Sequence, residues 1–188
     1  MTLQSAPSHR VTPEAMAVPT FEAVYAEQFA FVWRNLRRMG VRDSALRDAT
    51  QDVFLVVHRR LGEFERRAPL RSWLFSIVRR VALQHRRTAR RRDVSGDDDA
   101  DSLPGTLAGP EQNATDAEAL RFFLSLLDEL DDDKRDVFVL SELEEMTASE
   151  TAAALSCNIN TVYSRLRAAR EKLRAAYERR HGRRRGRP

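Results

Sequence analysis

The chain has 188 residues, 42% of them hydrophobic, which suffices for one large packed domain or two small ones. Its formal net charge of +4 suits an acidic partner. A single cysteine, Cys157, excludes an internal disulfide, the four scattered histidines have no metal-ligand spacing, and no apolar run approaches the roughly 18 residues that span a membrane.

Only 7 glycines and 7 prolines are present, and long stretches lack both, which favours helices throughout. Residues 1–19 lack the basic start and apolar core of a signal peptide; they read as a disordered lead-in to a cytoplasmic protein. Phe21, Tyr25, Phe29, Val32, Leu36 and Met39 then recur at three- and four-residue steps, predicting one apolar helix face that ends near Gly40. A second helix is expected from about Asp43 to Leu61, with Leu46, Ala49, Val53, Val56 and Val57 inward and Gly62 as its stop. After the loop EFERRAP a third begins near Leu70 and continues through Trp73, Leu74, Ile77 and Val81 into RRTARRR (86–92), which holds five arginines.

Residues 93–117 carry seven acids and no base, with Gly, Pro and Ser but no helical apolar period. They predict an extended acidic linker that sets no fixed distance between its flanks. In the free chain this acidic stretch is available to fold over the basic surfaces at 79–92 or 165–174. Beyond it, Leu120, Phe123, Leu127 and Leu130 mark one helix. Asp131, Asp132 and Asp133 start the next, where the helix dipole favours negative charge, and that helix runs through Val137, Leu140 and Leu143.

Thr147 and Glu150 form a T-x-x-E capping box for a short helix, and Asn158 suits the N-cap of a long one. On the long helix Val162, Leu166, Ala169, Leu173 and Ala176 fall in one stripe; the opposite side displays Asn160, Tyr163, Ser164, Arg167, Glu171 and Arg174. The alanines at 152–154 permit close helix approach. This is a helix-turn-helix pattern whose second helix suits a major groove, where arginine reads guanine edges or holds phosphate. The alternative is the solvated face of a helical hairpin. Cys157, at the turn, suits a small buried hydrophobe.

Three ordered stretches resemble the extracytoplasmic-function group of the sigma-70 family, the bacterial RNA polymerase sigma factors. DATQDVFLVVHRRL (48–61) is similar to the core-polymerase-binding helix of region 2. APLRSWLFSIVRRVALQHRRTARRR (68–92) is similar to the helix that opens and reads the minus-ten element. LDELDDDKRDVFVLSELEEMTASETAAALSCNINTVYSRLRAAREKL (127–173) is similar to region 4, which binds the minus-thirty-five element.

The resemblance implies an all-α fold of two small helical domains joined by a flexible acidic linker, the second a four-helix helix-turn-helix domain. Region 2 would span 20–92, the linker 93–117, region 4 118–178 and a basic tail 179–188. It further implies that Asp48, Gln51, Asp52, Phe54 and Leu55 engage the clamp helices of the largest polymerase subunit, with Phe54 and Leu55 as the apolar anchor or, alternatively, as core residues. The minus-ten set comprises Phe64, Arg66 and Arg67 in the base-capturing loop, Trp73 on the helix after it, and Arg79, Arg80, Arg86, Arg87 and Arg90 for phosphate. The minus-thirty-five set comprises Asn160, Thr161, Tyr163, Ser164, Arg165, Arg167, Arg170 and Arg174. Promoter DNA, core polymerase and a cognate anti-sigma factor are the implied partners, with no metal and no cofactor. The linker would thread through the polymerase, or serve only as a spacer.

This chain departs from the family pattern at several places: Arg80 stands for asparagine, Arg66, Glu145 and Ser156 for glycines, Tyr163 for a basic residue and Ala168 for an arginine. No catalytic spacing of Ser, His, Asp or Cys occurs, and no phosphate-cradling glycine loop. Two rival functions remain: a dimeric helix-turn-helix repressor or activator, which leaves the first half unused, and an RNA-binding adaptor, which explains composition alone.

Overall fold

The computed structural model describes residues 19–65, 68–95 and 114–185, with side chains described for 19–65, 68–93 and 117–180. Among these residues there are seven α-helices and no strand. They are α1 (Phe21–Arg38), α2 (Leu46–Arg60), α3 (Leu70–Ser95), α4 (Ala114–Leu127), α5 (Asp132–Phe138), α6 (Ala148–Leu155) and α7 (Ile159–Arg185).

In the first half, α1, α2 and α3 pack mutually. Thr20 caps α1 by accepting from the Ala23 amide, and the helix stops where Gly40 takes φ +81° and the Val41 amide donates back to the Leu36 carbonyl. The expected face of α1 divides along its length. Val32, Leu36 and Met39 are fully buried, together with Val24 and Phe31, whereas Phe21, Tyr25 and Phe29 line an open groove against α2. A single 3₁₀ turn (Asp43–Ala45) leads into α2, one turn later than the sequence suggested.

In the second half, Asp131 caps α5 by accepting from the Lys134 amide. The helix widens into a π turn at Val139–Leu143 before Glu145, which has φ +54°. The Thr147–Glu150 capping box is reciprocal: Thr147 Oγ1 accepts from the Glu150 amide, and Glu150 Oε2 accepts from the Thr147 amide. Ser156 closes α6 in the left-handed region at φ +51°. Asn158 caps α7 through Oδ1, which accepts from the Asn160 amide at 2.8 Å.

The two halves meet directly. One continuous apolar cluster takes in Leu74, Phe75 and Val78 from α3 along with Leu127, Leu140, Met146 and Ala154 from the second half. Helix α6 lies on α3, where the Ser72 hydroxyl donates to the Glu150 carbonyl at 3.3 Å. Packing between helices therefore fixes the relation of the halves. The expected linker falls for the most part at 96–113, outside the described residues.

Candidate nucleic-acid interface

Helix α7 owes its presentation to one apolar stripe. Val162, Ala169 and Ala176 are fully buried and Leu166 and Leu173 half-buried, which turns Asn160, Tyr163, Ser164, Arg167, Glu171 and Arg174 to solvent. Thr161 is half-buried at the first turn. Tyr163 is 59% exposed, unusual for a large aromatic ring with no partner surface. The arginines differ in their present engagements. Arg167 pairs along the helix with Glu171 and Arg174 with Glu178, both well exposed, so these pairs are weak and readily exchanged for phosphate. Arg170 pairs with Glu142, and Arg165 with Asp133.

Helix α3 carries the second basic surface. Arg80, Arg87 and Arg90 are exposed on it, and Arg80 and Arg87 border a shallow recess with Gln84 and Thr88. Trp73 is half-buried, 5.2 Å between ring centroids from Phe64, which is itself buried; Phe64 thus props the loop rather than offering its ring. Arg66 and Arg67 lie outside the described residues. Arg79 and Arg86 point to the second half of the chain. Arg79 is held by Asp136 and Asp133, and Arg86 by Asp132. Asp136 has a 1% exposed side chain, and its Oδ1 has no hydrogen-bond partner among the described residues. Burial, with some repulsion from Asp132 and Asp133, pushes its carboxyl up to about 6 against the pull of Arg79.

On α2, Asp48, Gln51 and Leu55 are exposed, Leu55 at 46%. Asp52 meets His85 of α3 at 2.8 Å. Phe54 is buried, its ring stacked 4° from parallel on Phe29 and 4.6 Å from Tyr25. Of the expected apolar anchor, Leu55 is therefore the presented half. Phe54 is the floor of an aromatic groove of about 630 Å³ walled by Phe21, Tyr25, Phe29, Trp33 and Leu55.

Sequence reasoning missed a carboxylate set on the second half. Besides Asp132, Asp133 and Asp136, Glu144 is buried at the meeting of the halves. It accepts from Arg34 Nε and Nη2 at 2.8 and 2.6 Å, from Asn35 Nδ2 at 3.1 Å, and from Arg38. Burial opposes its charge, but these donors win and hold it below the usual glutamate range. A signal was present: Asp132 and Asp136 are four apart on one face of α5, while Arg79 and Arg86 are seven apart on one face of α3.

A model of sigma-70 region 2 matches residues 25–92, and one of sigma-70 region 4 matches residues 123–173. The RNA polymerase sigma factor CnrH of Cupriavidus metallidurans is 31% identical over 146 residues, covering 74% of this chain and 76% of that protein. The chain belongs to the extracytoplasmic-function group of the sigma-70 family. The extracytoplasmic-function sigma factor SigL of Mycobacterium tuberculosis is 30% identical over 155 residues, covering 81% of this sigma factor and 85% of SigL. Among solved structures, CnrH in complex with the cytosolic domain of CnrY aligns with a TM-score of 0.64 at 24% identity, over 84% of this sigma factor and 87% of CnrH. RpoE of Bartonella quintana, solved with the anti-sigma factor NepR, aligns with a TM-score of 0.59 at 23% identity, over 82% and 96% of the two chains. These two share the all-helical fold of this sigma factor. None of its helices, among the described residues, is long and apolar enough to cross a membrane.

Proposed function

We propose that this sigma factor gives core RNA polymerase its promoter choice through three surfaces. Region 2, residues 20–92, binds core and the minus-ten element. Region 4, residues 118–178, binds the minus-thirty-five element. Residues 93–117 connect them, between a lead at 1–19 and a basic tail at 179–188. The observation that carries this is the outward face of α7: it presents Asn160, Tyr163, Ser164, Arg167 and Arg174 while its apolar stripe is spent on the core. A helix so presented fits a major groove, its N-terminal residues toward base edges and Arg174 toward phosphate.

On α2 the presented leucine and the aromatic groove beside it suit a helix of the polymerase clamp. Buried apolar anchors supply most of the affinity at such a surface, while Asp48, Gln51 and Asp52 set register. His85 orients Asp52 for that role. Helix α3 offers exposed arginines to a single-stranded backbone, with Trp73 and the loop at 64–69 next to the displaced base. The sigma factor acts as a specificity subunit, not as an enzyme, and works in the cytoplasm. CnrH and RpoE were solved with CnrY and NepR bound, which supports a cognate anti-sigma factor as a third partner.

Purified sigma factor is added to core polymerase on a library of bacterial promoter fragments, and transcript starts are sequenced. New starts sharing upstream elements, absent with core alone and redistributed among promoters by Arg167→Ala, are expected. Starts unchanged from core alone contradict the proposal.

A further inference from the structure

Tyr163 is 59% exposed near the start of α7, and its ring and hydroxyl have no partner among the described residues. Its neighbours on the same face are engaged. The Ser164 hydroxyl donates to the Thr161 carbonyl at 3.0 Å. Arg167 Nε donates to Glu171 Oε1 at 3.0 Å, which draws the guanidinium toward the C-terminal end of the helix. Side chains of a helix tilt toward its N-terminus, so the Tyr163 ring leans the other way, toward Asn160.

The spacing suits a row of base pairs. Asn160 precedes Tyr163 by about 4.5 Å along the helix axis and Arg167 follows it by about 6 Å, at roughly 1.5 Å per residue. Base pairs repeat at about 3.4 Å, so the three side chains address different pairs. The first turns of a recognition helix are the ones that reach base edges.

The chemistry of the ring limits what it can read. Every base presents hydrogen-bond donors or acceptors in the major groove, and thymine alone adds a methyl group. A basic side chain, which the family pattern has at this position, favours phosphate or guanine. Tyrosine has no charge to offer phosphate, and its broad apolar face gains by covering another apolar group.

We propose that Tyr163 is a specificity-determining residue that packs its ring on the methyl group of a thymine in the minus-thirty-five element. The ring carries the selectivity, and the hydroxyl at its far edge stays with water. This rests on α7 being the minus-thirty-five surface, and it places a thymine next to the base pair that Arg167 meets.

The test uses core polymerase assembled with wild-type sigma factor, Tyr163→Phe or Tyr163→Ala, on a promoter found by transcript sequencing. Each thymine of the minus-thirty-five element, on either strand, is replaced in turn by deoxyuridine. That change removes the methyl group and keeps the hydrogen-bonding edge. Competition between the thymine and deoxyuridine fragments in abortive initiation reads the preference, and circular dichroism checks that each variant keeps its helix content. One replacement should weaken wild type and Tyr163→Phe by about fourfold, the effect of burying one methyl group, and make no difference to Tyr163→Ala. The salt dependence of Tyr163→Ala should match that of wild type, because no phosphate contact is removed. If the element holds no thymine whose methyl effect disappears in Tyr163→Ala, the proposal is overturned. Loss of the effect in Tyr163→Phe as well assigns the selectivity to the hydroxyl and also overturns it. If wild type directs promoter-specific starts that ignore the methyl group, this inference fails alone; if it directs none, the promoter-recognition proposal fails and this inference with it.

Discussion

Asp136→Asn isolates the electrostatics of the junction. Asp136 is buried, with Oδ1 unpartnered and Arg79 on its other side, and its carboxyl is pushed up to about 6 from an ordinary 3.8. A carboxyl raised in the folded state stabilises the fold below its unfolded value, and this contribution disappears as pH rises through about 6. The shift corresponds to about 3 kcal/mol in total, of which about 2 kcal/mol falls between about pH 4.5 and about pH 7. Asparagine does not titrate, so the stability difference, wild type minus Asp136→Asn, should drop by about 2 kcal/mol across that window. Carboxylates remote from Asp136 are common to both proteins and cancel, while Asp132 and Asp133, which repel it, leave a smaller residual. Urea unfolding followed by circular dichroism at a series of pH values gives the difference directly. A flat difference refutes the dominance of burial. A difference that grows with pH shows that the Arg79 pairing outweighs burial.

Glu145→Gly and Ser156→Gly should each raise stability, since both residues sit at φ above +50°. The left-handed strain of about 1–2 kcal/mol exceeds glycine's unfolded-state cost of about 0.4–1 kcal/mol, leaving about 0.5–1 kcal/mol that thermal unfolding will register. Leu55→Asp should weaken binding to core polymerase by about 2 kcal/mol at unchanged helicity, because Leu55 is the exposed wall of the aromatic groove; unchanged affinity removes α2 from the interface. Arg167→Ala should shift preference among minus-thirty-five sequences by about 1–3 kcal/mol. Arg174→Ala should weaken all sequences alike and lower the salt slope by about one charge; identical behaviour of the two would make Arg167 a phosphate contact.

Helix-level structure was legible because its signals are local. The T-x-x-E box, Asn158 and the Val162–Ala176 stripe each determine hydrogen bonds or burial within a few residues, and α6 and α7 follow from them. The α1 pattern was half informative: period alone places Phe21, Tyr25 and Phe29 with Leu36 and Met39, but among the described residues those rings meet Phe54 and His58 of α2 on one side and stay open on the other, so they line a groove. Phe54 and Leu55 are adjacent, and which of them faces outward depends on how α1 crosses α2, a long-range choice that composition does not encode. The junction was hidden for the same reason. Asp132 and Asp133 satisfy the local expectation for acids in a first turn, and only the tertiary fold gives them Arg86, Arg79 and Arg165 as partners. Glu144 announces nothing in sequence; its role comes from three donors more than a hundred positions away.

The most direct test of promoter recognition by two surfaces is a footprint on a promoter found by transcript sequencing. Hydroxyl-radical protection is mapped for the free sigma factor, for core polymerase and for the two together. The complex should protect two separated patches, near minus ten and minus thirty-five. Arg167→Ala should lose the upstream patch first, and the free sigma factor should protect neither at the same concentration. A single protected patch, or full protection by the free sigma factor without core, would contradict the account.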